Sequence, residues 1–191
     1  MIVYTTSQND NDLKGILDLQ RSNLARNLNK EEIESQGFVT VLHQLEDLQK
    51  MNSIEQHIIA KDNDTVTAYL LAMTEKSKSD IPVLVPMFDL FESIRYKNKL
   101  LSQYHYMVVG QVCVDKKYRG QGVLDKCYHL YVETFRKRYD FAVTEIATNN
   151  QRSLNAHRRI GFKTIHEYVA PDGERWAIVV LEWAKHYTQQ H

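Results

Sequence analysis

The sequence is poor in the features that stabilise small secreted domains or hold a chain in a membrane. It has only two cysteines, Cys113 and Cys127, among 191 residues. Both lie within apolar patterns, which predicts buried thiols rather than a disulfide framework or a zinc site, and a reducing, cytoplasmic compartment. No apolar run is long enough for a membrane span, and the apolar start at residues 1–4 is too short for a signal sequence.

The sequence also lacks a charge of one sign. It has 24 basic and 24 acidic residues, so no overall field would attract nucleic acid or an anionic membrane, and neither partner is expected. It has no internal repeat and no low-complexity tract. A length of 191 residues suits one domain, and we expect a single domain over residues 1–191.

The most informative stretch runs from Gly110 to Phe162 and is organised around a glycine loop. Residues 107–114 form a mostly apolar, β-branched run, which predicts a buried strand. Residues 124–135 carry apolar side chains at helical spacing, so a helix begins at Gly120 to Gly122. Because a helix start presents unpaired N–H groups and partial positive charge, the loop predicts an anion site, with phosphate the commonest ligand.

Three kinds of glycine loop compete for this stretch. The phosphate loop of nucleoside triphosphatases requires a Gly-Lys-Ser or Gly-Lys-Thr ending, which the sequence lacks. The dinucleotide fingerprint requires a third glycine or alanine where Asp125 stands, and it is normally placed on the first strand. An ordinary turn before a helix is the structural alternative.

The third kind of glycine loop fits the stretch better than the two above. The stretch resembles the coenzyme A loop of the GNAT superfamily of N-acetyltransferases, with the pattern Gln/Arg-x-x-Gly-x-Gly/Ala after a strand. Arg119, Gly122 and the strand residues 112–114 match, whereas Leu124 stands where the family prefers Gly or Ala. The N–H of Leu124 survives this change, but its side chain must point into the core or crowd the cofactor.

A second motif strengthens the resemblance. Residues 150–162 are similar to the family's second cofactor segment, with Asn150, Ser153 and Gly161-Phe162 in register. His157 stands at the position of a family tyrosine. The specific motifs lie within residues 104–183; the earlier order of strand, two helices (the second over about residues 41–51) and strand pair is similar to the family only in architecture.

The resemblance implies a mixed α/β (α+β) fold with a mostly antiparallel central sheet, helices on both faces and a splayed parallel strand pair. It also implies acetyl-CoA as the acetyl donor, with no metal. The pantetheine arm would lie in the opening of the splayed pair, against the backbone of Val112 and Val114. The residues expected to bind the cofactor are Val112, Cys113, Val114, Arg119, Gly120, Gln121, Gly122, Val123, Leu124, Asp125 and Asn150. Asn150 is equally well explained as a plain helix N-cap, and the two roles are compatible.

The catalytic residues are less defined. The family tyrosine donates a proton to the leaving thiolate, so His157 is the candidate acid, with a packed helix residue as the alternative. The family's strand glutamate is missing from residues 107–114. The candidate bases are Tyr104, Glu145 and, beside them, His105, Tyr106 or a water chain. A covalent route through Cys113 lacks a neighbouring base.

The acceptor is expected to be a primary amine of a small molecule. It would occupy a site built from residues 27–38, the irregular connection 75–103 and the turn near Pro171. That connection would either wall the acceptor site or serve as a structural flap or dimer contact. Acetylation of a protein N-terminus or lysine and a non-catalytic acyl-CoA-binding regulatory module remain alternatives, and a homodimer is allowed.

Overall fold

The computed structural model describes residues 1–24, 39, 41–79 and 85–183. Its core is a seven-stranded sheet in the order β1-β2-β3-β6-β7-β9-β8, beside a small two-stranded hairpin, β4-β5. The strands are β1 Ile2–Thr6, β2 Ile58–Asp62, β3 Thr65–Met73, β4 Arg95–Tyr96, β5 Lys99–Leu100, β6 Tyr106–Val114, β7 Phe141–Ala147, β8 Lys163–Val169 and β9 Arg175–Glu182. Within this sheet only β6 and β7 pair in parallel. The fold class predicted from the sequence is confirmed.

Helices cover both faces of the sheet. Those of the described residues are α1 Asp10–Asn23, α2 Leu45–Ile54, α3 Val85–Phe91, α4 Val123–Phe135 and α5 Gln151–Ile160. Helices α1, α2 and α3 pack on one face, in a cluster that includes Leu13, Leu48 and Phe91, and α4 and α5 pack on the other, around Tyr131 and Leu154. Because both faces are covered, β3 is buried along almost its whole length, as its continuous apolar sequence requires.

Local sequence signals account for several helix ends. The side chain of Asn9 accepts hydrogen bonds from the N–H groups of Asn11 and Asp12, which begins α1. Asn150 accepts from the N–H of Ser153 and begins α5, and Gly161 ends that helix with a left-handed φ of 115°. The N-cap role predicted for Asn150 is therefore present.

Some boundaries differ from the sequence predictions. The second helix was expected over about residues 41–51 but runs from Leu45 to Ile54, because Gln44 and Asp47 form a capping box there. The connection 75–103 was expected to be irregular, yet its described part contains α3 and the β4–β5 hairpin. The turn of helix expected over residues 31–37 lies outside the described residues.

Two histidines are buried beneath α1 and α2, and within the part of the chain that the structure describes no carboxylate is hydrogen-bonded to either ring. The backbone N–H of Ala72 donates to Nδ1 of His57 over 3.1 Å, and Gln20 contacts Nδ1 of His43 at 3.1 Å. Burial lowers the pKa of His57 to about 3 and that of His43 to about 4. Both rings are therefore neutral at physiological pH.

Among the described residues, no helix has the length and hydrophobicity needed to cross a bilayer.

These histidines predict a loss of stability in mild acid. An unfolded histidine binds a proton below about pH 6.5, while folded His57 does not until near pH 3, so stability present above pH 6.5 is lost as the pH falls. Between pH 7.5 and pH 5 this linkage costs about 2 kcal/mol of unfolding free energy for His57. Urea unfolding at the two pH values measures it.

The variant His57→Gln should shrink the difference between the two pH values by about 2 kcal/mol, because the titrating ring is gone. The variant His129→Gln is the matched control, since His129 is exposed on α4 and should leave the difference unchanged. An unaltered difference in His57→Gln would show that the buried ring does not drive the acid sensitivity.

Candidate functional site

The central strands β6 and β7 part after three paired positions. Their parallel ladder joins Tyr106 to Phe141 and ends with Val108 opposite Val143. At the next position the hydroxyl of Thr144 donates to the carbonyl of Val109 over 2.7 Å, in place of a backbone bond. Beyond this point a gap opens between the strands towards their carboxyl ends.

Each strand is held on its other side as the gap opens. Strand β6 stays paired with β3, and a bulge opposite Leu71 inserts an extra residue into β6 at Gly110 and Gln111. Strand β7 pairs with β9 along its whole length, from Phe141 to Ala147. The divergence is therefore built into the sheet, and the gap agrees with the splayed pair that the sequence predicted.

A cavity of about 470 Å³ lies at the carboxyl end of β6, beside the first turns of α4 and α5. Gly120 and Gly122 both have a φ of 74°, which L side chains rarely adopt. The N–H of Lys126 is the first in α4 to reach a helical acceptor, the carbonyl of Gly122, so the N–H groups of residues 123–125 lack one. This arrangement suits an anion.

Most of the residues predicted to bind the cofactor come together here. The cavity is lined by Val112, Cys113, Val114, Arg119, Gly120, Gly122, Val123, Leu124, Asp125 and Asn150. Gln121 is exposed and is not among the lining residues; its side chain donates to the carbonyl of Lys117. Leu124 is partly buried: it packs against the core and also lines the cavity.

Arginines dominate the charge of this first cavity. Of its described lining residues, Arg119, Arg152 and Arg159 are basic and Asp125 is the one carboxylate. Arg159 forms a two-pronged ion pair with Asp125 that joins α5 to α4, one arm of which measures 3.0 Å. The repulsion that Asp125 would exert on a phosphate is thereby reduced.

Arg119 also fixes the loop in place. Its Nε donates to the carbonyl of Val114 and its Nη2 to the side chain of Asn23 at the end of α1, both over 2.8 Å. The backbone carbonyl of Asn23 in turn accepts a hydrogen bond from the backbone N–H of Val39. The glycine loop, α1 and residue 39 are therefore tied together at the rim of the cavity.

A second cavity of about 410 Å³ lies in the gap between β6 and β7, and its lining is acidic. Glu145, Asp172 and Glu174 contribute to it, and none of its described lining residues is a lysine or arginine. The hydroxyl of Tyr168 donates to Oε2 of Glu145 over 2.6 Å. Burial raises the pKa of Glu145, and the Tyr168 hydrogen bond opposes that rise. A partly buried carboxylate with a raised pKa can act as a proton acceptor near neutral pH.

The two cavities meet. The residues that line both are Val39, Val112, Asn150, Ser153 and His157. A ligand bound at the glycine loop can therefore reach a second ligand through the gap between β6 and β7.

Among the described residues, no group of three or more His, Cys, Asp or Glu side chains is placed to hold a metal ion.

His157 lies at this junction with both ring nitrogens occupied. Nδ1 is 2.8 Å from the carbonyl oxygen of Ser153, and Nε2 is 2.7 Å from the hydroxyl of Tyr128. Burial lowers its pKa to about 4, so the ring is neutral at pH 7. The geometry fits the packed alternative better than the proton donor that the sequence suggested.

Two other candidates are poorly suited to catalysis, one because of its position and the other because of its pKa. Tyr104 precedes β6, at the opposite end of that strand from the glycine loop, and its hydroxyl donates to the carbonyl of Tyr96. It is not among the residues that line either cavity. Cys113 does line the first cavity, but burial raises its pKa to about 12, so its thiol is protonated and a poor nucleophile.

The connection 75–103 contributes less to the second cavity than to the core. Of its described residues only Met87 lines that cavity, whereas Phe88, Phe91 and Leu101 are buried in the core. The other expected acceptor segment, residues 27–38, lies outside the described residues. Asp172 and Glu174, in the turn that follows Pro171, do line the cavity.

Sequence reasoning missed two polar groups of the site. Gln111 accepts the hydroxyl of Tyr69 over 2.5 Å and donates to the carbonyl of Val41 over 2.8 Å, which holds residue 41 over the second cavity. A glutamine within an apolar strand run was the available signal. Tyr128 gave no such signal, because it falls on the apolar face of α4.

Comparison with known proteins agrees with this geometry. The sequence profile of the acetyltransferase (GNAT) family matches residues 24–162. No curated protein sequence is significantly similar to the chain.

Three solved structures illustrate the fold. The ribosomal-protein-S18-alanine N-acetyltransferase from Escherichia coli has a TM-score of 0.61 at 12% identity, covering 100% of this chain and 99% of its own. An N-acetyltransferase from Staphylococcus aureus Mu50 has a TM-score of 0.61 at 16% identity, covering 96% and 99%. A chain of the NatC complex bound to Gag peptide and CoA has a TM-score of 0.63 at 15% identity, covering 95% and 98%. At these identities the likeness establishes the fold.

Proposed function

The chain belongs to the acetyltransferase (GNAT) family, and from that premise we propose that it transfers the acetyl group of acetyl-CoA to a primary amine of a small molecule. Both substrates would be bound together. The observation that carries this proposal is the meeting of an anion-binding cavity and an acidic cavity in the gap between β6 and β7. Holding two ligands at one junction makes a bimolecular transfer effectively unimolecular and so lowers its barrier.

The first cavity suits the CoA moiety. The N–H groups at the start of α4 would bind the pyrophosphate, with positive charge supplied by Arg119, Arg152 and Arg159. The NatC structure, which contains CoA, supports this ligand for the fold. Acetyl-CoA supplies an activated acetyl thioester.

The gap suits the pantetheine arm. Past Val108, β6 has no backbone partner on the β7 side, so the polar backbone groups of residues 110–113 that face the gap need acceptors and donors. An extended amide-containing arm laid along β6 would provide them. Thr144 closes the narrow end of the gap and would limit how far the arm enters.

The second cavity suits an ammonium group. Its carboxylates, Glu145, Asp172 and Glu174, would attract a cationic amine. Glu145 would accept the proton that the amine must lose before it attacks, since burial raises its pKa and only Oε2 is hydrogen-bonded to Tyr168. Glu145 would thus replace the family glutamate missing from β6.

Acetylation of a protein N-terminus is the second candidate. Asp172, which lines the second cavity, is exposed on the turn between β8 and β9, so a peptide could enter past this turn. The names of two structural neighbours, the S18-alanine N-acetyltransferase and the NatC complex with Gag peptide, support such an acceptor for the fold.

We also propose a cytoplasmic location, supported by two buried cysteines without a disulfide. A homodimer remains a prediction.

The cofactor assignment is tested by replacing Gly122 with alanine. A Cβ there meets no atom within 4 Å, so the change acts through the backbone, whose φ of 74° disfavours a side chain by about 1 kcal/mol. We expect the loop to shift and acetyl-CoA affinity to fall about fivefold in calorimetric titration, the factor to which about 1 kcal/mol corresponds. ATP and NAD titrations test selectivity.

Gly173→Ala is the matched control for this experiment. Gly173 also has a positive φ, of 87°, and open space around its Cβ position, but it lies in the β8–β9 turn. The control should lose similar stability and keep its acetyl-CoA affinity. Equal losses of affinity in both variants, or no acetyl-CoA binding by the folded wild type, would contradict the assignment.

The role of Glu145 is tested by Glu145→Gln in thiol-release assays with a panel of small primary amines and short peptides with free N-termini. We expect kcat/KM for the best acceptor to fall by about 10²–10³-fold and the rise in rate with pH that depends on Glu145 to disappear. Greater turnover of peptides than of small amines would favour the second candidate.

Two further variants make this test specific. Tyr168→Phe removes the hydrogen bond that lowers the Glu145 pKa, so the rise in rate should move to higher pH. Glu167→Gln changes an exposed carboxylate on the same strand as Tyr168 and should match the wild type. An unchanged pH profile in both Glu145→Gln and Tyr168→Phe would exclude Glu145 as the base.

A further inference from the structure

The junction of the two cavities contains three polar side chains, those of Asn150, Ser153 and His157. A thioester carried from the first cavity towards the second must pass them. When the acetyl group leaves, negative charge develops on the CoA sulfur, and a hydrogen-bond donor at this point would stabilise it. Which side chain can donate follows from the hydrogen bonds that each already makes.

His157 cannot readily donate. Its Nδ1 lies 2.8 Å from the carbonyl oxygen of Ser153, which only accepts, so the ring proton is on Nδ1 and is already used. Nε2 therefore accepts the hydrogen of the Tyr128 hydroxyl, over 2.7 Å. Burial raises the pKa of Tyr128 well above its usual range, so that hydroxyl keeps its proton.

Asn150 is also engaged. Its Oδ1 accepts the N–H of Ser153, and the residue makes a further contact besides this cap. Its side chain is buried at the start of α5, where the cap holds it in one orientation.

Ser153 is the remaining donor. Its Oγ lies 3.3 Å from Nδ1 of His157, and because that nitrogen carries the ring proton, the Ser153 hydroxyl cannot donate to it. The hydroxyl hydrogen of Ser153 is then left without an acceptor among the described residues. Ser153 and His157 lie one turn apart on the same face of α5, so the ring fixes the hydroxyl from one side.

We propose that the Ser153 hydroxyl donates a hydrogen bond to the CoA sulfur as the thiolate leaves, and that His157, held by Tyr128, positions it. This inference rests on the proposed function. The amine nitrogen bonds to the acetyl carbon, the carbon–sulfur bond breaks, and its electron pair stays on sulfur. Glu145 takes the proton that the ammonium loses before the attack. The second proton of the amine passes to the leaving sulfur as the amide forms, so CoA leaves as its thiol, and the serine keeps its own proton throughout.

This assignment explains the departure at position 157. The resemblance predicts a tyrosine there as the group that serves the thiolate, but both nitrogens of the histidine are occupied within the protein. The donor is supplied instead by the serine one turn earlier on the same helix.

The test measures the thiol pKa of CoA bound to the full chain, which requires no acceptor amine. CoA labelled with ¹³C next to the sulfur is titrated with pH by NMR, in the wild type and in Ser153→Ala and Ser153→Thr. A hydrogen bond to a charged sulfur should hold the thiol pKa at least about one unit lower in the wild type than in Ser153→Ala. Ser153→Thr keeps a hydroxyl and should restore most of that shift.

The outcomes separate this inference from the proposed function. CoA bound with similar affinity by all three proteins, and with the same thiol pKa, would overturn the role of Ser153 and leave the acetyltransferase assignment standing. Failure of the wild type to bind CoA would overturn both. A loss of affinity in Ser153→Ala without a change in thiol pKa would make Ser153 a binding residue only and would also contradict the proposal.

Discussion

The structure depends on the parting of β6 and β7 after Val108 and Val143. β3 holds β6 and β9 holds β7 on their outer sides, so neither strand can move to close the gap without breaking a buried ladder. The hydroxyl of Thr144 satisfies the first carbonyl left without a backbone partner. Because helices α4 and α5 begin at the same end of these strands, one break in the sheet places their N-termini and a passage through the molecule side by side.

The passage separates two chemical environments. On one side, helix N-termini and three arginines suit an anion; on the other, Glu145, Asp172 and Glu174 suit a cation. The two sides are also connected mechanically, since Arg119 holds Asn23, which binds the backbone of Val39 at the rim of both cavities. Bringing an anionic donor and a cationic acceptor to one junction is what a transfer between them requires.

The sequence was sufficient to predict the fold class and the glycine loop, because both depend on local signals. A buried strand, glycines with positive φ and a helix with an apolar face all lie within residues 107–135, and Asn150 with Gly161 marks both ends of α5. The chemistry was less predictable because it depends on long-range contacts. The hydrogen bonds of Tyr168 to Glu145 and Tyr128 to His157 join residues 23 and 29 positions apart, and no periodicity shows them. Tyr104 was a candidate only because its distance from the gap could not be read from the sequence.

The central claim is that the gap between β6 and β7 holds the acetyl donor and opens onto the acceptor cavity. A crystal structure of the chain with CoA tests it most directly. The account predicts the pyrophosphate on the N–H groups at the start of α4, the pantetheine arm between Val112 and the β7 side of the gap, and the sulfur beside Ser153 at the junction. A pantetheine arm lying outside the gap, with its sulfur away from both Ser153 and Glu145, would contradict it.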